Sequence, residues 1–146
     1  MKPVLSCDFS PNGHEIATGS DDHTCMLWDL RMQANRARGK EQMYTIAAHK
    51  SLLSKVKFSP ECGSVLLTAS YDKTLKLWDG RSFGLLSSLE GHEGKVMGAA
   101  IMPKTRQVIS VGYDRTIKTW KMRGEVEGGE QQPSTATEAA AAMETD

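Results

Sequence analysis

The chain has 146 residues, enough for one ordinary domain with its own core and too few for two of typical size. Its formal net charge is zero, but all 18 Lys and Arg lie within residues 1–123 beside 12 of the 18 acids, and the last 23 residues carry the other six. Three cysteines, Cys7, Cys25 and Cys62, are odd in number and outside any CxxC pair, which argues against a disulfide framework or a zinc site; no apolar run approaches the roughly 20 residues that cross a bilayer, and no signal-peptide pattern opens the chain.

From the N-terminus onward, short β-rich runs are interrupted by turn residues, and each run predicts a strand. The first group is 4–9, 15–18 and 24–28, then, after a basic connection at 30–42, a fourth strand at 43–46. The second group is 55–58, 65–69, 74–78 and 85–89. The third is 95–101, 108–111 and 116–120, with only a Gly- and Glu-rich stretch where its outer strand belongs. The first strand of each group reads as the innermost, and the near-continuous apolar second strands suit burial on both faces. In the third strands Leu75 and Leu77 alternate with Lys76 and Trp78, the pattern of a half-exposed strand. About four strands per group is the content of one β-propeller blade.

The groups are copies of one another. ATGSDDHTCMLWD at 17–29 returns as LTASYDKTLKLWD at 67–79 and as ISVGYDRTIKTWK at 109–121. Asp22, Asp72 and Asp114 are spaced by 50 and 42 residues, and Trp28, Trp78 and Trp120 keep the same intervals, as a repeat architecture requires. His49 precedes Asp72 by 23 residues and His92 precedes Asp114 by 22; the first group begins too early in the chain to include its own copy. His14 and His23 read as solvated turn residues.

These motifs resemble the WD repeat, whose Gly-His and Trp-Asp signatures are matched by Gly91-His92, Trp28-Asp29 and Trp78-Asp79 across residues 4–122. The resemblance implies an all-β WD-repeat propeller with three blades only, in residues 1–123, an incomplete ring from the C-terminal part of a longer protein. It also implies a hydrogen-bonded chain in each blade: His49, Thr68, Asp72 and Trp78 in the second, His92, Ser110, Asp114 and Trp120 in the third, and Thr18, Asp22 and Trp28 in the first. Residues 124–146, without an aromatic or basic residue and with an alanine run at 139–142, read as an acidic, disordered tail.

A histidine bonded to a hydroxyl and a carboxylate has the composition of a nucleophilic triad. Its recurrence at one period marks a structural element copied with the blade, since a catalytic set is needed once. Gly94-Lys95 is not a phosphate loop, because Leu89 and Val96 stand where a glycine and a hydroxyl are required, and HExxH and GxSxG are absent. The expectation is a scaffold without catalytic residue, metal or cofactor; blank ester and peptide hydrolysis assays test the hydrolase alternative.

YTIAAH at 44–49, VKFSP at 56–60, LLTASYDKT at 66–74, LEGHEGKVMG at 89–98 and YDRTIKTW at 113–120 together resemble the last three blades of the pre-mRNA processing factor four family, the WD-repeat subunit of the U4/U6 small nuclear ribonucleoprotein. That resemblance implies a nuclear protein that assists spliceosome assembly, with proteins of the U4/U6·U5 tri-snRNP as partners, indirect association with U4 and U6 RNA, and no membrane. The alternative is a generic WD adaptor, a G-protein-β-like scaffold or a ubiquitin-ligase substrate receptor. On a propeller the residues flanking the turn aspartate point toward one rim, so Tyr71, Lys73, Tyr113 and Arg115 form a candidate interaction surface, the competing reading being that the tyrosines pack between blades. Propellers close with about four to eight blades, so this chain is expected to associate with missing blades or with itself.

Overall fold

The computed structural model describes residues 2–31, 42–105, 107–121 and 137–138. Twelve strands follow one another: β1 (Val4–Phe9), β2 (Glu15–Ser20), β3 (Thr24–Asp29), β4 (Gln42–Ala47), β5 (Leu53–Phe58), β6 (Val65–Ser70), β7 (Thr74–Asp79), β8 (Leu85–Glu90), β9 (Val96–Ile101), β10 (Val108–Gly112), β11 (Ile117–Trp120) and β12 (Thr137–Glu138). They form three antiparallel meanders of four strands, β1 to β4, β5 to β8 and β9 to β12. The sequence period is also a register period: Cys7 faces Thr18, Val56 faces Thr68 and Ala99 faces Ser110 at the same place in each sheet. Sharp turns are set by local chemistry. Gly13 and Gly63 take left-handed φ values of 73° and 62° between the first two strands of their sheets, where a Cβ would be strained.

The predicted strands differ from the observed ones by a residue or two at their ends. The third sheet also has a fourth strand, the two-residue β12, where none is expected from the sequence: Lys118 pairs with Glu138 and Thr119 with Thr137. The rest of the tail expectation, and the connection at 32–41, lie outside the described residues.

The core lies between sheets. Ala17, Cys25, Leu27 and Ile46 from the first sheet meet Leu53, Val56, Phe58, Leu66 and Trp78 from the second. Leu67, Ala69, Leu75, Leu77 and Leu89 on the other face of the second sheet meet Val96, Val108 and Trp120 from the third. Each large side chain withdrawn from water this way contributes about 1.5–3 kcal/mol. Being covered on both faces, the second sheet buries Trp78 as well as Leu75 and Leu77, so β7 is not the half-exposed strand its alternation predicts. Polar bonds stitch the same seams: Asp8 accepts from the Phe58 amide at 2.9 Å and the Lys57 ammonium at 3.0 Å, and the Ser54 hydroxyl donates to the Val96 carbonyl at 2.6 Å. At the first seam Gly19 is needed for close approach, since a Cβ there would lie 2.8 Å from a Val56 methyl. The architecture is three propeller blades side by side, an incomplete ring.

Candidate interaction site

In the second sheet, β6, β7 and the loop ahead of β5 bring four side chains into one chain of bonds. The indole N–H of Trp78 donates to Thr68 Oγ1 at 2.9 Å, Thr68 Oγ1 lies 2.8 Å from His49 Nε2, and His49 Nδ1 lies 2.9 Å from Asp72 Oδ2. Donor counting fixes the sense. The Thr68 oxygen takes the indole proton and gives its own to Nε2, which leaves Nδ1–H of a neutral imidazole for the carboxylate. Burial lowers the His49 pKa and the adjoining Asp72 only partly offsets this, which agrees with a neutral ring. Burial alone would raise the Asp72 pKa, but bonds from Thr74, the Lys50 amide and His49 outweigh it and hold the carboxyl ionised. The same carboxylate accepts the Thr74 amide and hydroxyl, an Asx turn that shapes residues 72–74.

The third sheet repeats this arrangement. Trp120 donates to Ser110 Oγ at 2.8 Å, His92 Nε2 lies 2.7 Å from that oxygen, and His92 Nδ1 lies 2.8 Å from Asp114 Oδ2. The first sheet has half of it. Trp28 donates to Thr18 Oγ1 at 2.9 Å, but the Thr18 hydroxyl turns to the Met26 carbonyl at 3.3 Å, and Asp22 is bonded to Ser20 and Thr24 on either side of it. His14 is exposed and His23 partly so, and each lends its backbone carbonyl to another loop, His14 to the Leu30 amide at 2.8 Å and His23 to the His49 amide at 3.3 Å.

This geometry argues against nucleophilic catalysis at either triad-like set. Thr68 and Ser110 are fully buried, and each hydroxyl oxygen is already engaged by an indole and an imidazole, so neither can reach a substrate. What the sets do is leave no buried polar atom without a partner: among the described residues no buried side-chain nitrogen or oxygen is unbonded. Among the described residues no three His, Cys, Asp or Glu side chains converge as metal ligands.

Each bonded carboxylate fixes a turn on one rim. The Tyr71 amide donates to the Leu52 carbonyl and the Tyr113 amide to the Lys95 carbonyl, so the turn tips and histidine loops share that rim. The residue after each aspartate is left-handed although none is glycine: His23 at φ 73°, Lys73 at 73° and Arg115 at 61°. Such a conformation costs a residue with a Cβ about 1 kcal/mol or more. Tyr113 is 76% exposed, Arg115 is exposed in the same turn, and Lys73 is exposed in the matching turn of the second sheet. Tyr71 is half-buried, with the Lys95 ammonium 4.9 Å from its ring centroid. The tyrosines therefore part company: Tyr71 packs under a lysine, and Tyr113 stands free.

Several contributors escaped the sequence reading. Thr24, Thr74 and Thr116 each bond the aspartate two residues back, a signal present in the DHT, DKT and DRT triplets. Lys76 spans to the Ala48 carbonyl at 2.7 Å and sits 5.8 Å from the Trp78 ring, and Lys118 at the matching place is buried; no short motif announces either.

The family model described as WD domain, G-beta repeat matches residues 2–29, 40–79 and 83–121. A guanine nucleotide-binding protein subunit beta of Zea mays is 29% identical over 126 residues, 82% of this chain and 33% of that protein. The U4/U6 small nuclear ribonucleoprotein PRP4-like protein of Arabidopsis thaliana is 45% identical over 65 residues, 44% of this chain and 12% of that protein. The crystal structure of RRP9 WD40 repeats superposes with a TM-score of 0.74 at 21% identity, over 83% of this chain and 36% of that one, a likeness of fold. The chain spans about a third of the length of the Zea mays relative.

Proposed function

We propose that this chain, which belongs to the WD domain, G-beta repeat family, is a non-catalytic interaction scaffold of the nuclear U4/U6 and U4/U6·U5 particles, acting in spliceosome assembly. The observation that carries the reading is the 45% identity over 65 residues to a U4/U6 PRP4-like protein, well above the 29% of the longer G-protein β match. The contact surface is the rim of Tyr71, Lys73, Tyr113 and Arg115. An exposed aromatic beside a cation, with strain kept at the turn tips, is the kind of feature that binding surfaces retain. Proteins of the particle are the partners, and U4 and U6 RNA associate through them.

A second reading, an adaptor of the G-protein β or ubiquitin-ligase receptor kind, is favoured by the extent of the Zea mays match, 82% of the chain. Affinity capture of the tagged chain from nuclear extract separates the two. Enrichment of U4 and U6 RNA supports the first; recovery of G-protein or ubiquitin-ligase subunits without small nuclear RNA overturns it.

A further inference from the structure

Lys76 stands opposite Thr68 in the register of β7 on β6, so it is the cross-strand neighbour of the hydroxyl at the middle of the second sheet's bonded chain. Its side chain is half-buried. The ammonium donates to the Ala48 carbonyl at 2.7 Å and lies 5.8 Å from the centroid of the Trp78 ring, the residue at the other end of that chain. Ala48 is fully buried and immediately precedes His49, so its carbonyl is the last backbone acceptor before the histidine. The third sheet repeats the placement. Lys118 stands opposite Ser110 and is 7% exposed, a depth that lysine reaches only when paired.

We propose that Lys76 is a positioning residue for His49: its bond to Ala48 ties down the loop that carries the histidine, and its charge keeps a second cation off the imidazole. A proton on Nε2 would turn that atom into a donor. The Thr68 hydroxyl, whose oxygen already accepts the Trp78 indole N–H, would then lose the acceptor for its own proton, and the chain would break at its centre. Charged and titratable groups reach the ring from several elements. Asp72 bonds it from the turn after β6, Lys76 approaches from β7, Lys50 follows on its own loop, and the first sheet brings His23, whose carbonyl accepts the His49 amide. Burial is the first cause that lowers the His49 pKa, Asp72 raises it, and Lys76 lowers it further. The anion thus orients the ring, and the cation holds it neutral. The second and third sheets, which carry these lysines, also carry Tyr71, Lys73, Tyr113 and Arg115 on the rim. The inference concerns how that rim keeps its shape and stands whether or not the rim binds U4/U6 particles.

The test is proton uptake by the His49 ring, followed by nuclear magnetic resonance on the full 146-residue chain, with His49→Gln to assign the signal. Lys76→Arg keeps the charge and a donor. Lys76→Gln keeps an N–H donor without the charge, and Lys76→Met removes both, installing the residue type that stands opposite Thr18 in the first sheet. The Gln and Met variants are expected to take up the proton at higher pH than the parent, and the Arg variant to follow the parent. Exchange of the Lys50 amide, held by Asp72 at 3.1 Å, is expected to quicken in both neutral variants and more in Lys76→Met, where the tie to Ala48 is gone. A Gln variant that titrates with the parent, or an Arg variant that shifts as far as it does, would overturn the role of the charge. Unchanged Lys50 exchange in the neutral variants would overturn the tie to the loop. If Lys76→Met fails to fold, Gln against Arg decides both points.

Discussion

The carboxylate of Asp72 lies 2.9 Å from the His49 imidazole across 23 residues of chain and also accepts the Lys50 amide at 3.1 Å, so it closes the loop before β5 onto the turn after β6. With Thr68 and Trp78 below, the bonds run from the rim into the seam between sheets. The rim therefore depends on the core for its shape.

Replacing Asp72 by Ala removes the acceptor for His49, for the Lys50 amide and for the Thr74 amide and hydroxyl. A lost hydrogen bond to a charged group costs about 1.5–3 kcal/mol, and the urea midpoint is expected to fall accordingly. An unchanged midpoint would show that the turn closes without the carboxylate.

Thr68→Val and Thr18→Val delete the same hydroxyl in two blades with unequal consequences. Thr68 is fully buried and serves both Trp78 and His49, so its loss strands two buried groups at about 1–3 kcal/mol each. Thr18 accepts from Trp28, which is half-buried, and donates only a long 3.3 Å bond to the Met26 carbonyl, so its loss is expected to cost about 1 kcal/mol. Chemical denaturation of the pair checks this ordering; equal losses would mean that the histidine adds nothing to the chain of bonds.

Much of this was legible in the sequence, because a blade is copied as a unit. The constant step from Asp22 to Trp28, Asp72 to Trp78 and Asp114 to Trp120 placed the third strands, and the histidine spacing grouped His49 with Asp72 and His92 with Asp114. What stayed hidden depends on neighbours the local pattern does not encode. Trp78 looked half-exposed because alternation reports one sheet, whereas its burial comes from the first sheet packing over it. The left-handed Lys73 and Arg115 carry no glycine to betray them, and β12 comes from a stretch with little strand propensity.

Acidification should weaken the fold in two stages. Burial lowers the His49 pKa below its ordinary 6.5, so the unfolded chain takes up a proton that the folded one refuses, and stability is full above pH 6.5 and falls as pH drops below it. Asp72 is shifted below 3.8, and Asp29, hydrogen-bonded and paired to Arg31, is held down to about 2, so their contribution is present above pH 3.8 and is lost below it. Calorimetric melting temperature against pH reads both stages. His49→Gln is expected to shrink the first and spare the second, and a parent that melts higher as pH drops below 6.5 would contradict the neutral, buried imidazole.

Lys73→Gly separates strain from function at the rim. Relief of its left-handed φ of 73° should stabilise the chain by about 0.5–1 kcal/mol, the left-handed cost less the entropy glycine adds to the unfolded chain. The same change should weaken capture of partners, because it removes a cation from the proposed surface. A variant that melts lower than the parent would show that the turn is not strained.

The most direct test of the central claim pairs the parent chain with an Arg115→Glu, Tyr113→Ala double variant in affinity capture from nuclear extract. Both residues are exposed on the rim, and neither side chain belongs to the hydrogen-bonded supports beneath it. U4 and U6 RNA and their particle proteins are expected to be retained by the parent and lost from the variant at unchanged melting temperature. Equal retention by both chains, or capture of G-protein or ubiquitin-ligase subunits without either RNA, would contradict it.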